Sequence, residues 1–443
     1  MVSTNVKIIE ELKSFLDAVI QDPKLRGLFT TSPTDFSRDR KLPLIKIIGM
    51  LINLPKRSLS VELQSFFECM GQPSLCCTKG AFSLQRTKLK PLFFKVWNDC
   101  LIESFYNFYQ NEVKRWEGFR LLAADGSNFS VVNKPEVLQH FGSADNQFGG
   151  VPMARVMQVH DVLNDLAVWG DIFPRKYSEN VIMANHIGHL PADSLTIFDR
   201  GYASYSLMYL LMNEEAPRHF LIRCKTSYNN EVRKFVSGSQ TDTTTNIYPS
   251  AESIEALKGH GFIVTQKTPI AIRMVKVTLP NGEIEVLLSN LYDREIFTLE
   301  KMAELYFMRW KIETAYGKQK NQLQMEISSG HKVVCIEQDY AAGLFVSNLQ
   351  CIIEKQCDHK VREISSCRQY EYKINRNLSW ASLKNRVLRL FIQSSNSLEI
   401  LMEIEHLFIK NLEPIRAGRQ TPRPKPKRKR GKYQTFTNYR RAI

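Results

Sequence analysis

The chain has no Cys-x-x-Cys pair, no glycine-rich phosphate loop ending in a Walker-type lysine, and no apolar run long enough to cross a membrane. Each absence removes a class of function. Nine scattered cysteines, an odd number, argue against a disulfide framework and a zinc ribbon, and Cys351, Cys357, His359 and Cys367 lack regular zinc-ligand spacing. Nucleotide hydrolysis has no phosphate cradle here. The stretch IKIIGMLINL near Leu51 is too short for a span and holds Lys46, while the amphipathic start MVSTNVKIIEELKSFLDAVI lacks the layout of a signal peptide. A soluble cytoplasmic protein is expected, with no membrane partner.

Acids are missing from one region. The formal charge is +15, yet eleven Lys or Arg and no acid lie between Arg416 and Ile443, which leaves about +4 for the rest. The segment RQTPRPKPKRKRGKYQ, rich in proline and like charge, cannot bury apolar surface and is expected to be disordered when free. It suits attraction to a polyanion, weakening steeply with salt, or serves only as a solubilising tail.

What remains, 443 residues at 43% hydrophobic composition, is enough for two or three domains. Residues 1–115 read as a helical N-terminal domain, with apolar periodicity in VKIIEELKSFLDAVI, LPLIKIIGMLINL and LKPLFFKVWNDCLIESFYNFY. Between the last two, a helix, a Gly-Pro turn and a second helix capped by Thr78 are compatible with a helix-turn-helix. Its second helix would present Lys79, Gln85, Arg86 and Lys88 to phosphates or base edges. A plain helix pair in all-helical packing is the other option.

From residue 116 the pattern changes to strands: FRLLAAD, ARVMQVHDVLND, LAVWGDIF, SLTIFDRGY and HFLIRC. Asn164-Asp165 marks a hairpin, and helices are expected within Ser178–Leu190 and over 204–214. The order strand, strand, strand, helix, strand, helix, strand is a mixed α/β layout over 116–225. Residues 226–296 read as a β-rich insertion with a hairpin through Pro280-Asn281-Gly282. Helices return over 297–412, and 413–443 form the basic tail.

Two acids stand at the ends of apolar strands just before glycine turns, Asp125 in LLAADGS and Asp199 in LTIFDRGY. Strand-end carboxylates of an α/β sheet point into the ligand crevice, although each could equally cap its own turn. A third, Glu313, lies in YFMRWKIETAYGKQK. At about 100° per helical residue, Tyr306, Arg309, Glu313 and Lys320 fall at roughly 0°, 300°, 340° and 320°, one stripe opposite Met308, Ile312 and Ala315. A carboxylate between two cations suits a metal site beside nucleic-acid phosphates; a solvated face with i,i+4 ion pairing is the alternative. His140 and His160 read as structural, while Asp161 and Asp165 lie near the second strand and could be mistaken for catalytic acids.

These residues resemble the DDE transposases of insertion sequences, specifically the insertion sequence four (IS-four) group. Its signature, Tyr, two residues, Arg, three residues, Glu, six residues and Lys, is satisfied at Tyr306, Arg309, Glu313 and Lys320. Asp125-Gly126-Ser127 resembles the flank of the group's first acid, and Asp199-Arg200-Gly201-Tyr202 that of its second. The likeness covers roughly residues 78–355.

The resemblance implies a ribonuclease-H-like core interrupted by a β-rich insertion, with Asp125, Asp199 and Glu313 as catalytic ligands of two Mg²⁺ ions, for which Mn²⁺ may substitute. Tyr306, Arg309 and Lys320 are then implied to hold DNA. It also implies cleavage at terminal inverted repeats, joining to target DNA, and a homodimer in the synaptic complex, acting at the bacterial nucleoid. Relatives can pass through a hairpin intermediate, and no aromatic here, Trp310 included, is assigned to it. A ribonuclease-H-like nuclease without strand transfer, or a DNA-binding relic that no longer cuts, are the competing expectations.

Overall fold

The computed structural model describes residues 2–38, 40–146, 149–213, 215–279, 282–393 and 396–416. The chain divides into two compact units. One comprises residues 1–112, 129–154 and 318–443, the other 113–128 and 155–317.

The first unit is mostly helical. The expected amphipathic segments form helices Val2–Gln21, Leu44–Ile52 and Leu92–Tyr109, and the apolar stretch near residue 345 forms the helix Val333–Lys355. Trp97 and Phe345 stack at 4.1 Å between centroids, joining the last two of these helices in the core. Polar groups trapped there are satisfied in chains. The Asn5 amide donates to the Ile352 carbonyl and to Gln356 Oε1 at 3.2 and 2.9 Å, and the Tyr109 hydroxyl donates to Asn5 Oδ1 at 2.9 Å.

The helix pair expected around the Gly-Pro turn is present as Leu59–Cys69 and Lys79–Arg86, and the Thr78 hydroxyl accepts from the Ala81 amide as its cap. Its expected DNA-facing set is corrected at one residue. Arg86 is fully buried and donates to Gln338 Oε1, Ser329 Oγ, the Cys335 carbonyl and Asp339 Oδ1 at 2.6–3.2 Å. With its donors spent inside the unit, it cannot meet a phosphate. Lys88 pairs with Asp35 at 3.4 Å, while Lys79 is exposed.

The second unit is built on a sheet. Its strands are β1 (Arg120–Ser130), β2 (Ser143–Asn146), β3 (Gly149–Asp161), β4 (Leu166–Pro174), β5 (Ser194–Phe198), β6 (His219–Cys224), β7 (Asp242–Ile247), β8 (Ile270–Thr278) and β9 (Ile284–Ser289). The order is β2-β3-β1-β5-β6-β9-β8-β7, with β4 also paired to β3. β2 and the first residues of β3 belong to the first unit. The five strands β4-β3-β1-β5-β6, with β5 parallel to both β1 and β6, take the ribonuclease-H-like order. Central parallel strands are covered on both faces and so read as continuous apolar runs: Leu121 to Ala124, Leu195, Ile197, Phe198 and Phe220 to Ile222 are all buried.

The segment expected as a β-rich insertion does more than add strands. β9, β8 and β7 extend the same sheet antiparallel from β6, and its polar part holds helices Asn230–Ser237 and Ala251–Gly259. Buried Arg273 secures it, gripping Asp242 at 3.1 and 2.7 Å and donating to the Leu291 and Phe297 carbonyls. The expected β8–β9 hairpin forms; Pro280 and Asn281 of its turn lie outside the described residues. So does the basic tail from residue 417. Its first residues differ from expectation, because Leu412–Pro414 pairs as a strand with Tyr372–Ile374. Among the described residues no helix is long and apolar enough to cross a membrane.

Candidate active site

Strand register brings the first two acids together. Ala124 pairs with Phe198 across the parallel strands β1 and β5, so the next residues, Asp125 and Asp199, stand side by side where neighbouring strands lie about 4.8 Å apart. Asp199 Oδ1 caps its own turn, accepting from the Gly201 amide at 2.7 Å, whereas Asp125 lies inside β1 and its Oδ1 accepts from the amide of the next strand residue, Gly126, at 2.9 Å. The turn expected after Asp125 is absent, because β1 runs on to Ser130 beyond Ala124, its last residue paired with β5.

The signature segment is two helices where one continuous stripe is expected. Leu299–Phe307 ends and Trp310–Asn321 begins around Met308 and Arg309, where the amides of Met308, Arg309, Lys311 and Ile312 each reach back three residues. That tighter winding breaks the α-helical stripe between Tyr306 and Arg309. The second helix buries Ile312 and Ala315, and its Tyr316 hydroxyl donates to the Asp125 carbonyl at 2.7 Å. This bond ties the helix to the middle of β1.

Glu313 joins the other acids through a cation. Arg309 Nη2 donates to Glu313 Oε1 at 2.8 Å, and Nη1 lies 3.8 Å from Asp125 Oδ2. The guanidinium rests 5.0 Å over the exposed Trp310 ring, and its buried Nε has no partner among the described residues. Burial works against this cation, but the Glu313 hydrogen bond holds its pKa above the usual value. Tyr306 is also buried, beneath the Arg223 guanidinium, with its hydroxyl unpartnered among the described residues. Lys320, in the first unit, lies 4.9 Å over the Phe129 ring, and burial lowers its pKa against the pull of Glu326.

One acid escaped the sequence analysis. Glu179 opens the helix Glu179–Asn185, capped by Ser178. It pairs with Arg155 at 2.9 Å and accepts from the Tyr202 hydroxyl at 3.4 Å. Its side chain lies against Gly126, where an added Cβ would stand 2.4 Å from Cδ. Burial and Glu179 push the Asp125 carboxyl up to about 7, opposed by the Gly126 amide and Arg309 and reinforced by Asp199. Burial raises Glu179 as well, with Arg155 opposing. The glycine that makes room for Glu179 lies far from it in the chain, so no local sequence pattern marks this acid.

As placed, no three His, Cys, Asp or Glu side chains among the described residues converge closely enough to hold a metal ion. Crowded carboxylates repel one another without a cation between them, and Glu313 is turned onto Arg309. Asp161 is occupied elsewhere, accepting from the Leu163 and Asn164 amides in the β3–β4 turn, where Asp165 meets His160 at 3.2 Å.

No protein-family model matches the chain. The "Putative transposase InsZ" of Escherichia coli (strain K12) is 24% identical over 166 residues, 37% of this chain and 54% of that protein. The "Transposase InsG for insertion sequence element IS4" of the same strain is 27% identical over 242 residues, 53% of this chain and 52% of that one. The chain spans about half the length of these curated relatives. Both are named transposases, one of them of IS4, so the resemblance carried by the signature is joined by sequence similarity over part of the chain. Among solved structures, the piggyBac transposase synaptic complex with hairpin DNA aligns over 91% of this chain and 84% of that one, at TM-score 0.40 and 11% identity. A likeness that loose adds nothing to the strand order.

Proposed function

We propose that the chain is a DNA transposase of the insertion-sequence type, which binds the terminal inverted repeats of its element, cleaves there and joins the freed 3′-hydroxyls to target DNA. The observation that carries this reading is that Asp125 and Asp199 stand just beyond the last paired residues of the adjacent parallel strands β1 and β5, with Glu313 reaching the same corner through Arg309. The similarity to transposases supports it.

In this reading Asp125, Asp199 and Glu313 would hold two Mg²⁺ ions, with Mn²⁺ as a substitute. A donor set of carboxylate oxygens alone fits a hard divalent cation, and an Asp125 raised to about 7 by burial and neighbouring acids is a group that such a charge would relieve. When bound, the ions would make a water or a DNA 3′-hydroxyl nucleophilic and neutralise charge on the transferring phosphate. Gly126 and Gly201 fix the two aspartates by their amides, and Tyr316 holds the Glu313 helix to β1. Arg309 and Lys320, with the Tyr306 hydroxyl, would meet phosphates of the element's end. Two protomers would pair the ends.

The test is a plasmid carrying the gene with its native flanks, incubated with Mg²⁺ and purified protein. Wild type should cut at the flanks, while Glu313→Ala binds them without cutting. A Glu313→Ala protein that still cuts removes the acid from the mechanism. Binding by both proteins with no cutting in Mg²⁺ or Mn²⁺ makes the chain a DNA-binding relic.

A further inference from the structure

The side chain that joins two of the acids is also the one that keeps them occupied. Arg309 sits at the break between the two signature helices, 6% exposed, and its two terminal nitrogens address Glu313 and Asp125. A carboxylate oxygen that accepts from a guanidinium N–H cannot offer the same lone pair to a cation. Glu313 has room to change partner, since its side chain is 42% exposed and among the described residues only Arg309 holds it. Arg309, for its part, has an Nε with no partner among the described residues, so its present arrangement leaves part of a donor fork unused. That fork matches a phosphate better than a single carboxylate oxygen.

We propose that Arg309 is a latch: without DNA it holds Glu313 away from the metal position, and a DNA phosphate that takes its fork releases Glu313 to the ions. This rests on the proposed transposase reading and adds regulation to the same site. DNA and metal then bind with positive coupling, and linkage makes the coupling reciprocal. A protein loaded with metal only on DNA would not cut indiscriminately while free.

Mn²⁺ binding to the full chain, followed by the electron paramagnetic resonance signal of the free ion, tests this apart from cleavage. A short duplex of the native flank should raise wild-type affinity on the order of tenfold. DNA-free Arg309→Gln should already bind Mn²⁺ about as tightly as DNA-bound wild type, and Glu313→Gln should lose the response to DNA. Arg309→Lys, which keeps the charge but loses the fork, should fall between, and it replaces the glutamine variant should that one fail to fold by circular dichroism. Folded Arg309 variants that bind Mn²⁺ no more tightly than wild type, or wild-type affinity indifferent to DNA, would overturn the latch while leaving the transposase reading intact. Wild type that binds no Mn²⁺ with or without DNA would bring down both.

Discussion

A single hydrogen at Gly126 lets Asp125 and Glu179 share one corner of the site. An alanine Cβ would lie 2.4–2.5 Å from Glu179 Cδ, Cγ and Oε1, and Glu179 is tethered by Arg155 and Tyr202. Gly126→Ala should therefore cost about 1–3 kcal/mol as overpacking, and adding Glu179→Ala should recover much of it. Denaturant midpoints of the two singles and the double measure this, and strictly additive costs would show that the two residues do not touch. Asp125 gives a pH signature. Its carboxyl is pushed up to about 7 in the folded protein, from an unfolded value near 3.8, so between these limits the folded state binds more protons than the unfolded one. Stability from this group is therefore lost as pH rises from about 4 to 7. Asp125→Asn should stabilise the metal-free protein at pH 8 by on the order of 1–3 kcal/mol and flatten that part of its profile relative to wild type. The sequence made Asp125 and Asp199 legible because each follows an apolar run and has a glycine close behind it, although Gly126 continues β1 where a turn was expected. Glu179 was not legible, because its partners Arg155, Tyr202 and Gly126 are brought to it only by the fold.

Among the elements, periodicity read the strands well and misjudged what polar residues do. FRLLAAD, ARVMQVHDVLND, LAVWGDIF, SLTIFDRGY and HFLIRC all became strands, since burial on both faces leaves an unmistakable apolar run. The polar stretch after Cys224 concealed the Asn230–Ser237 helix, whose cap is the Val232 amide donating to Asn229 Oδ1, and β7, which pairs with β8 and whose Asp242 is gripped by Arg273, partners beyond the reach of any local pattern. The break at Met308 and Arg309 was likewise invisible, because every residue there is tolerated in a helix. Arg86 shows the same limit: a helical arginine near other cations reads as a DNA contact until Asp339 and Gln338 are found around it. Its replacement is a test at this scale. Arg86→Ala should destabilise the helical unit by about 3–5 kcal/mol, because Asp339 is left buried without its cation, whereas exposed Lys79→Ala should change stability by no more than about 0.5 kcal/mol. If Arg86→Ala unfolds at the wild-type midpoint yet loses DNA binding, Arg86 is a DNA contact after all.

For the molecule as a whole, charge separates attraction from chemistry. Residues 417–443 carry ten Lys or Arg and no acid, so the remainder is only about +5. The acids proposed for catalysis lie far from this segment in the chain, and their positions follow from strand register and the Tyr316 bond, neither of which involves the tail. Deletion of residues 417–443 should therefore weaken binding to DNA of any sequence and make it less salt-dependent, the slope of log affinity against log salt falling by about 0.9 for each phosphate contact removed. Cutting at saturating protein, with Mg²⁺ and low salt, should persist at a rate within a few-fold of the full chain, because saturation replaces the lost attraction. The two quantities come from one salt series of binding isotherms and one single-turnover cleavage assay. An unchanged slope would make the segment a solubilising tail. Loss of cutting despite full occupancy would mean that the tail's cations act on the reacting DNA itself, and the metal site could then no longer be treated as complete without them.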